Sequence, residues 1–292
     1  MRSLLTTLIP AAILLLLIAI AGVLSYLIVS FVSDAIPLRK IISKTTLILL
    51  VLSIFPIMSW LQLKKQDIGL SDKKTFFKQI AQGLLFGILI LAPVIFSLWF
   101  LDIWHYDQDK SWTLAKILIK ILGLLIIALL VSVPEEFIFR GILQTSLSKK
   151  IGIFMAIGVS AFYYAGLHYL KSKTDIPIQD LTLMSSYTLI GDAFINLFTL
   201  SNLPGLIALF SVGAFLGCVR YRISNSIGLC IGIHAGWVFL IKMTSAFFDK
   251  NRASELKFLV SDYDFIIGPF VCVWLILLTG IFLAYTRRSS NT

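Results

Sequence analysis

Residues 114–146 read LAKILIKILGLLIIALLVSVPEEFIFRGILQTS. An apolar run of this length crosses a bilayer core of about 30 Å with residues to spare. Its second half nevertheless carries two adjacent glutamates, Glu135 and Glu136, and an arginine, Arg140. The run sets the class of fold, and the charges inside it mark where chemistry is to be sought.

Comparable runs recur on both sides. The spacing predicts about eight membrane segments, at 4–30, 46–63, 79–103, 114–146, 151–169, 183–219, 226–247 and 263–286. Of the 292 residues, 58% are apolar or aromatic and 14% are charged, against roughly 25% charged in a soluble domain. Mean hydropathy is +0.94. Such a chain cannot cover a soluble surface. Soluble enzymes, secreted disulfide scaffolds and disordered chains are excluded, and continuous rather than alternating runs exclude a β-barrel. The expected fold is all-α, a polytopic transmembrane helical bundle. Its organisation is read as N-terminal membrane helices over 1–110, a core over 114–247 and a C-terminal membrane helix over 263–286, forming one integral unit without internal repeats.

The sixth segment is broken. Asp192 and Asn196 interrupt its first half, and Pro204 precedes a clean span at 205–219. That first half is either part of a span or an interfacial or re-entrant helix. At the N-terminus, Ala19-Ile20-Ala21 resembles a cleavage site, but the apolar stretch continues to Ile28 and is read as an uncleaved helix.

The net charge of +10 arises from Lys and Arg gathered between apolar runs. That pattern faces anionic lipid, so the bilayer is the expected partner and nucleic acid is not. Lys64, Lys65, Lys73, Lys74 and Lys78, then Lys149 and Lys150, Arg220 and Arg222, and Arg287 and Arg288 all fall on one side of eight crossings. Both termini are therefore expected in the cytoplasm; the loop with Arg39, Lys40 and Lys44 runs against the trend. Cys218, Cys230 and Cys272 lie in apolar stretches, odd in number and without metal-type spacing, and read as packing residues.

A charge at membrane depth costs roughly 2.5–3.5 kcal/mol on insertion scales, so it is a functional candidate by default. Pro134 removes a backbone donor and frees the carbonyl four residues earlier, opening the helix beside the acids. Glu136 and Arg140, four apart with the acid first, share a face and can pair. Glu135 points about 100° away and is left for proton chemistry. Such a pair also has a purely structural reading, which leaves the second glutamate unexplained. Two of the three histidines lie in apolar segments, His168 with Tyr164 four residues before it, and His234 in Ile233-His234-Ala235-Gly236. Each could be an interhelical hydrogen-bonding histidine. Together, a Glu pair and two His on three helices can converge on a water-holding cavity, where a carboxylate and an imidazole activate water and a second imidazole donates to an oxyanion. His105 lies in a polar loop and is assigned no role.

At these residues the sequence resembles the CPBP family of intramembrane proteases, which includes the type II CAAX prenyl endopeptidases and bacteriocin-processing and immunity relatives. The family's Glu-Glu-x-x-x-Arg is present as Glu135, Glu136 and Arg140. Its Phe-x-x-x-His is present as Tyr164 to His168, with tyrosine for phenylalanine. Its His-x-x-x-Asn is met at His234 only, because Val238 replaces the asparagine. The resemblance covers about 130–240 and looks closer to the bacterial branch, which places the chain in a bacterial inner membrane.

The resemblance implies an endopeptidase acting on a membrane-associated peptide or protein. Glu135 would be the general base assisted by His168, His234 an oxyanion donor, and Glu136 and Arg140 would orient the site. The second donor role would pass from Val238 to a nearby polar group such as Asn225 or Trp237. The family is described both as metalloproteases and as glutamic proteases. Glu135, His168 and His234 would be the ligands of a zinc ion, but the expected mechanism is metal-free and needs no cofactor. Two other classes stay open. One is a non-catalytic scaffold or immunity-type relative that binds peptides. The other is a proton-coupled transporter in which intramembrane Glu, Asp192 and His form a relay. Lys242, two turns beyond His234, either meets a substrate carboxylate or lipid phosphate, or snorkels to the interface.

Overall fold

A computed structural model describes residues 2–29, 31, 36–107 and 112–288. Ser30, at the end of the first expected segment, and residues 108–110, at the end of the expected N-terminal unit, lie outside the described residues. The helices are α1 (Arg2–Val29), α2 (Leu38–Trp60), α3 (Lys73–Phe100), α4 (Leu114–Glu136), a π-helical segment (Phe137–Leu143), α5 (Gln144–Ile151), α6 (Ile153–Tyr169), α7 (Leu183–Leu197), α8 (Leu203–Arg222), α9 (Ile227–Phe247) and α10 (Pro269–Arg288). Two three-residue strands, β1 (Trp104–Tyr106) and β2 (Phe248–Lys250), pair antiparallel outside the bundle. The chain is a nearly all-α, polytopic membrane protein.

Seven helical runs are long and apolar enough to cross a bilayer: α1, α2, α3, the continuous run Leu114–Ile151, Leu200–Arg222, α9 and α10. The remaining expected segment, α6, has 17 residues, about 26 Å at 1.5 Å per residue. It lies against α8, where Ala161 meets Gly213.

The broken sixth segment resolves into two helices. Thr182 starts α7 with a reciprocal capping box to Ser185, and Pro204 sits in the first turn of α8. Only α8 crosses. The 15-residue α7 is held at one end of the bundle. Its Asp192 accepts from Ser172 (2.5 Å) and Thr174 (3.1 Å), and Asn196 donates to the Lys171 carbonyl (2.9 Å). Its Leu189 packs with Val29, Leu38, Ile41 and Ile42. The first half is therefore a helix of its own rather than part of the span, and Asp192 is committed to a loop network outside the cavity described below.

At the other end the basic loops gather. Lys149 pairs with Asp67 (3.3 Å), Arg220 donates to the Asp67 carbonyl (2.9 Å), and the Ile227 N–H donates to the Gly69 carbonyl (3.1 Å). The Lys64 N–H and then Lys149 hold the Asp67 carboxyl below the usual carboxylate range. The α7 end carries cations too, among them Arg39, Lys40, Lys171, Lys173 and Lys250, but interleaved with acids. Arg39, for example, makes a two-pronged pair with Asp175.

Close backbone contact positions α9. A Cβ on Gly87 of α3 would strike the Ile233 carbonyl, and one on Gly232 of α9 would strike the Ile80 carbonyl. Small residues at such crossings let membrane helices pack through van der Waals contact. Gly87→Ala is expected to destabilise by about 1–3 kcal/mol through overpacking. Gly123→Ala, where an added Cβ meets nothing within 4 Å, should be neutral or stabilise by about 0.5–1 kcal/mol. Thermal unfolding in detergent checks both, and equal melting temperatures would contradict the close-packed α3–α9 contact.

Candidate active site

The expected opening of α4 is displaced. The helix runs through Pro134 to Glu136 without a break, because a proline removes a single donor. The disturbance appears just afterwards as the π-helical segment. There the Gln144 N–H bonds the Phe139 carbonyl five residues back, and the Ser160 hydroxyl of α6 adds a second bond to that carbonyl at 2.8 Å. Single π turns inside helices recur at functional sites; this one ties the acid-bearing helix to α6. Gln144 ties it to α8 by donating to the Gly217 carbonyl (3.0 Å).

Within this frame Arg140 Nη1 donates to Glu136 Oε1 at 3.0 Å, with side chains 1% and 0% exposed. Arg140 Nη2 donates to the Gly213 carbonyl of α8 (3.2 Å), and the guanidinium lies 4.6 Å from the centroid of the Tyr164 ring. The same Glu136 oxygen lies 2.9 Å from His234 Nδ1. A carboxylate accepts, so Nδ1 carries the proton and Nε2 presents a lone pair. The Tyr164 hydroxyl donates to that Nε2 over a long 3.4 Å. His168 is fixed in the same tautomer, because its Nδ1–H donates to the Tyr164 carbonyl at 2.8 Å.

Glu135 points away from the pair, as helix geometry requires. Its Oε2 lies 3.7 Å from His168 Nε2 and 3.9 Å from His234 Nε2, buried and without a hydrogen-bond partner. Glu135 Oε2 and His168 Nε2 thus face each other as two acceptors with no proton between them, while the His234 Nε2 lone pair accepts from Tyr164. A water, with two protons to give, satisfies that geometry.

These groups form the floor of a cavity of about 640 Å³. Apolar side chains such as Ile42, Leu47, Val131 and Ile138 wall it, and Lys44, Lys171 and Lys242 also line it. All six residues singled out in the sequence converge here or brace what does. Val238 faces the cavity and offers no donor, whereas Trp237 also lines it with its indole N–H buried and unpartnered. Asn225 is misplaced as a candidate donor: it sits in the α8–α9 turn at the basic end, its carbonyl accepting from Gln79. His105 lies on β1 opposite Asp249, away from the cavity.

Among the described residues no group of three His, Cys, Asp or Glu side chains is arranged to hold a metal ion. The Glu135, His168 and His234 atoms stand 3.7 and 3.9 Å apart, wider than the about 3.3 Å between ligands of a tetrahedral zinc.

Residues 117–240, from α4 through most of α9, match the Rce1-like type II CAAX prenyl endopeptidases. Over this segment the chain is similar to that family. No curated protein and no solved structure matches it. The Rce1-like segment contains Glu135, Glu136, Arg140, Tyr164, His168 and His234, and leaves α1, α2, α3 and α10 outside it. Two features of the Rce1-like site were not readable in the sequence. The Glu136–His234 bond joins positions 98 residues apart, and no spacing signals it. The Tyr164 hydroxyl was visible as a departure from phenylalanine, but not its contact with His234.

Proposed function

We propose that this protein is a glutamate-dependent intramembrane endopeptidase that cuts a membrane-associated peptide or protein. The observation that carries this reading is the unpartnered, buried Glu135 Oε2 facing the free lone pair of His168 Nε2 at the floor of a cavity. A water held there donates to Glu135 and His168. Glu135 takes one proton as the water oxygen attacks the scissile carbonyl carbon. The tetrahedral intermediate then collapses, and the proton on Glu135 passes to the departing amine nitrogen. Glu136 and Arg140 fix His234. With its Nδ1–H committed to Glu136 and its Nε2 accepting from Tyr164, His234 orients the floor of the site.

The apolar walls suit an extended apolar segment, and residues 114–247 form the catalytic unit braced by the flanking helices. The basic end, nearly free of acids, faces the anionic cytoplasmic leaflet, with both termini on that side. Val238, which cannot donate, favours a second reading in which a relative of the proteases binds such peptides without cutting them.

The mechanism is tested by treating purified protein with a zinc chelator. Cleavage is expected to continue, and Glu135→Gln to stop it. Loss on chelation with recovery on adding zinc would replace the metal-free mechanism.

A further inference from the structure

Peptide hydrolysis needs a hydrogen-bond donor where the carbonyl oxygen becomes an oxyanion. The donors around the Glu135 cavity are few. The Nδ1–H of His234 is spent on Glu136 and that of His168 on the Tyr164 carbonyl. Val238 has none. Lys242 lies eight residues beyond His234 on the same helix, about 12 Å along its axis. The Tyr164 hydroxyl, the Trp237 indole N–H and the hydroxyl of Tyr263, whose ring stands 5.9 Å from that of His168, remain.

The geometry favours Tyr164. Its oxygen lies 3.4 Å from His234 Nε2, and that nitrogen lies 3.9 Å from Glu135 Oε2. The hydroxyl is thus on the same floor as the base. The ring is immobilised on several sides: the Arg140 guanidinium at 4.6 Å, the His168 ring at 4.4 Å and the Phe139 ring edge-on at 5.3 Å. The side chain is 2% exposed. The long bond to His234 is the single one its hydroxyl makes among the described residues, and rotation about the C–O bond redirects the proton without moving the ring. A donor held rigidly before the reaction costs no reorganisation during it.

We propose that the Tyr164 hydroxyl is the oxyanion donor of this site. This rests on the hydrolytic reading above. The phenolic proton stays on oxygen throughout. It turns from His234 Nε2 to the developing oxyanion and returns when the intermediate collapses.

The test uses a peptide whose new terminus appears in membranes with the wild type, and compares purified wild type, Tyr164→Phe and Trp237→Phe. Tyr164→Phe is expected to lower kcat by about 10²–10³-fold, with KM and melting temperature unchanged, because one atom is lost and no packing. Trp237→Phe, which keeps an aromatic ring on the cavity wall, is expected to lower kcat far less than Tyr164→Phe. Full kcat in Tyr164→Phe, or the loss appearing in Trp237→Phe instead, overturns the assignment while leaving the hydrolytic reading intact. A wild type that releases no peptide overturns that reading and this inference together.

Discussion

Arg140→Ala is expected to lower the amount of folded protein in membranes severalfold and to lower its melting temperature. Arg140 and Glu136 are 1% and 0% exposed. Removing the cation leaves a buried carboxylate whose remaining partner is His234, and breaking a buried pair from one side costs about 3–5 kcal/mol. That is a large part of a typical total stability of about 5–15 kcal/mol. The guanidinium also joins α4 to the Gly213 carbonyl of α8 and lies over the Tyr164 ring of α6. Arg140→Lys should recover little, because an ammonium cannot hold those fixed directions at once. Yield and thermal unfolding in detergent check this. A well-expressed Arg140→Ala protein with a wild-type melting temperature would contradict the bracing role of the pair.

Glu135→Gln should show the opposite signature. Positioned general bases contribute about 10²–10⁴-fold to rate, so cleavage is expected to fall by at least that factor. Stability should be unchanged or slightly higher, because Glu135 Oε2 has no hydrogen bond to lose and a neutral amide is cheaper to bury than a carboxylate. Those two results would separate the adjacent glutamates into a stabilising one and a reactive one. Initial rates and melting curves on the same preparations measure both. Retained cleavage in purified Glu135→Gln would remove Glu135 as the base.

Helix geometry made part of this legible from sequence. Glu136 and Arg140 share a face because 3.6 residues make a turn, and the pair forms as spacing requires. The spans follow from apolar length alone. The rest depends on how helices meet. His234 reaches Glu136 because α9 packs against α4 as well as against α3, and no pattern within one helix encodes such a crossing. Pro134 pointed to a disturbed helix but not to its place, since the π-helical segment lies where the Ser160 hydroxyl of another helix adds a second bond to the Phe139 carbonyl. Asn225 looked near His234 in sequence, yet the start of α9 carries it to the opposite end of the bundle. Asp192 looked available for a proton relay until Ser172 and Thr174 claimed it.

The most direct measurement compares all protein N- and C-termini in membranes of cells making equal amounts of wild type or Glu135→Gln. Glutamate-dependent intramembrane proteolysis predicts new termini with the wild type alone, in membrane-associated proteins or peptides. Identical termini with both proteins well folded would contradict it and leave a peptide-binding relative whose Val238 supplies no donor.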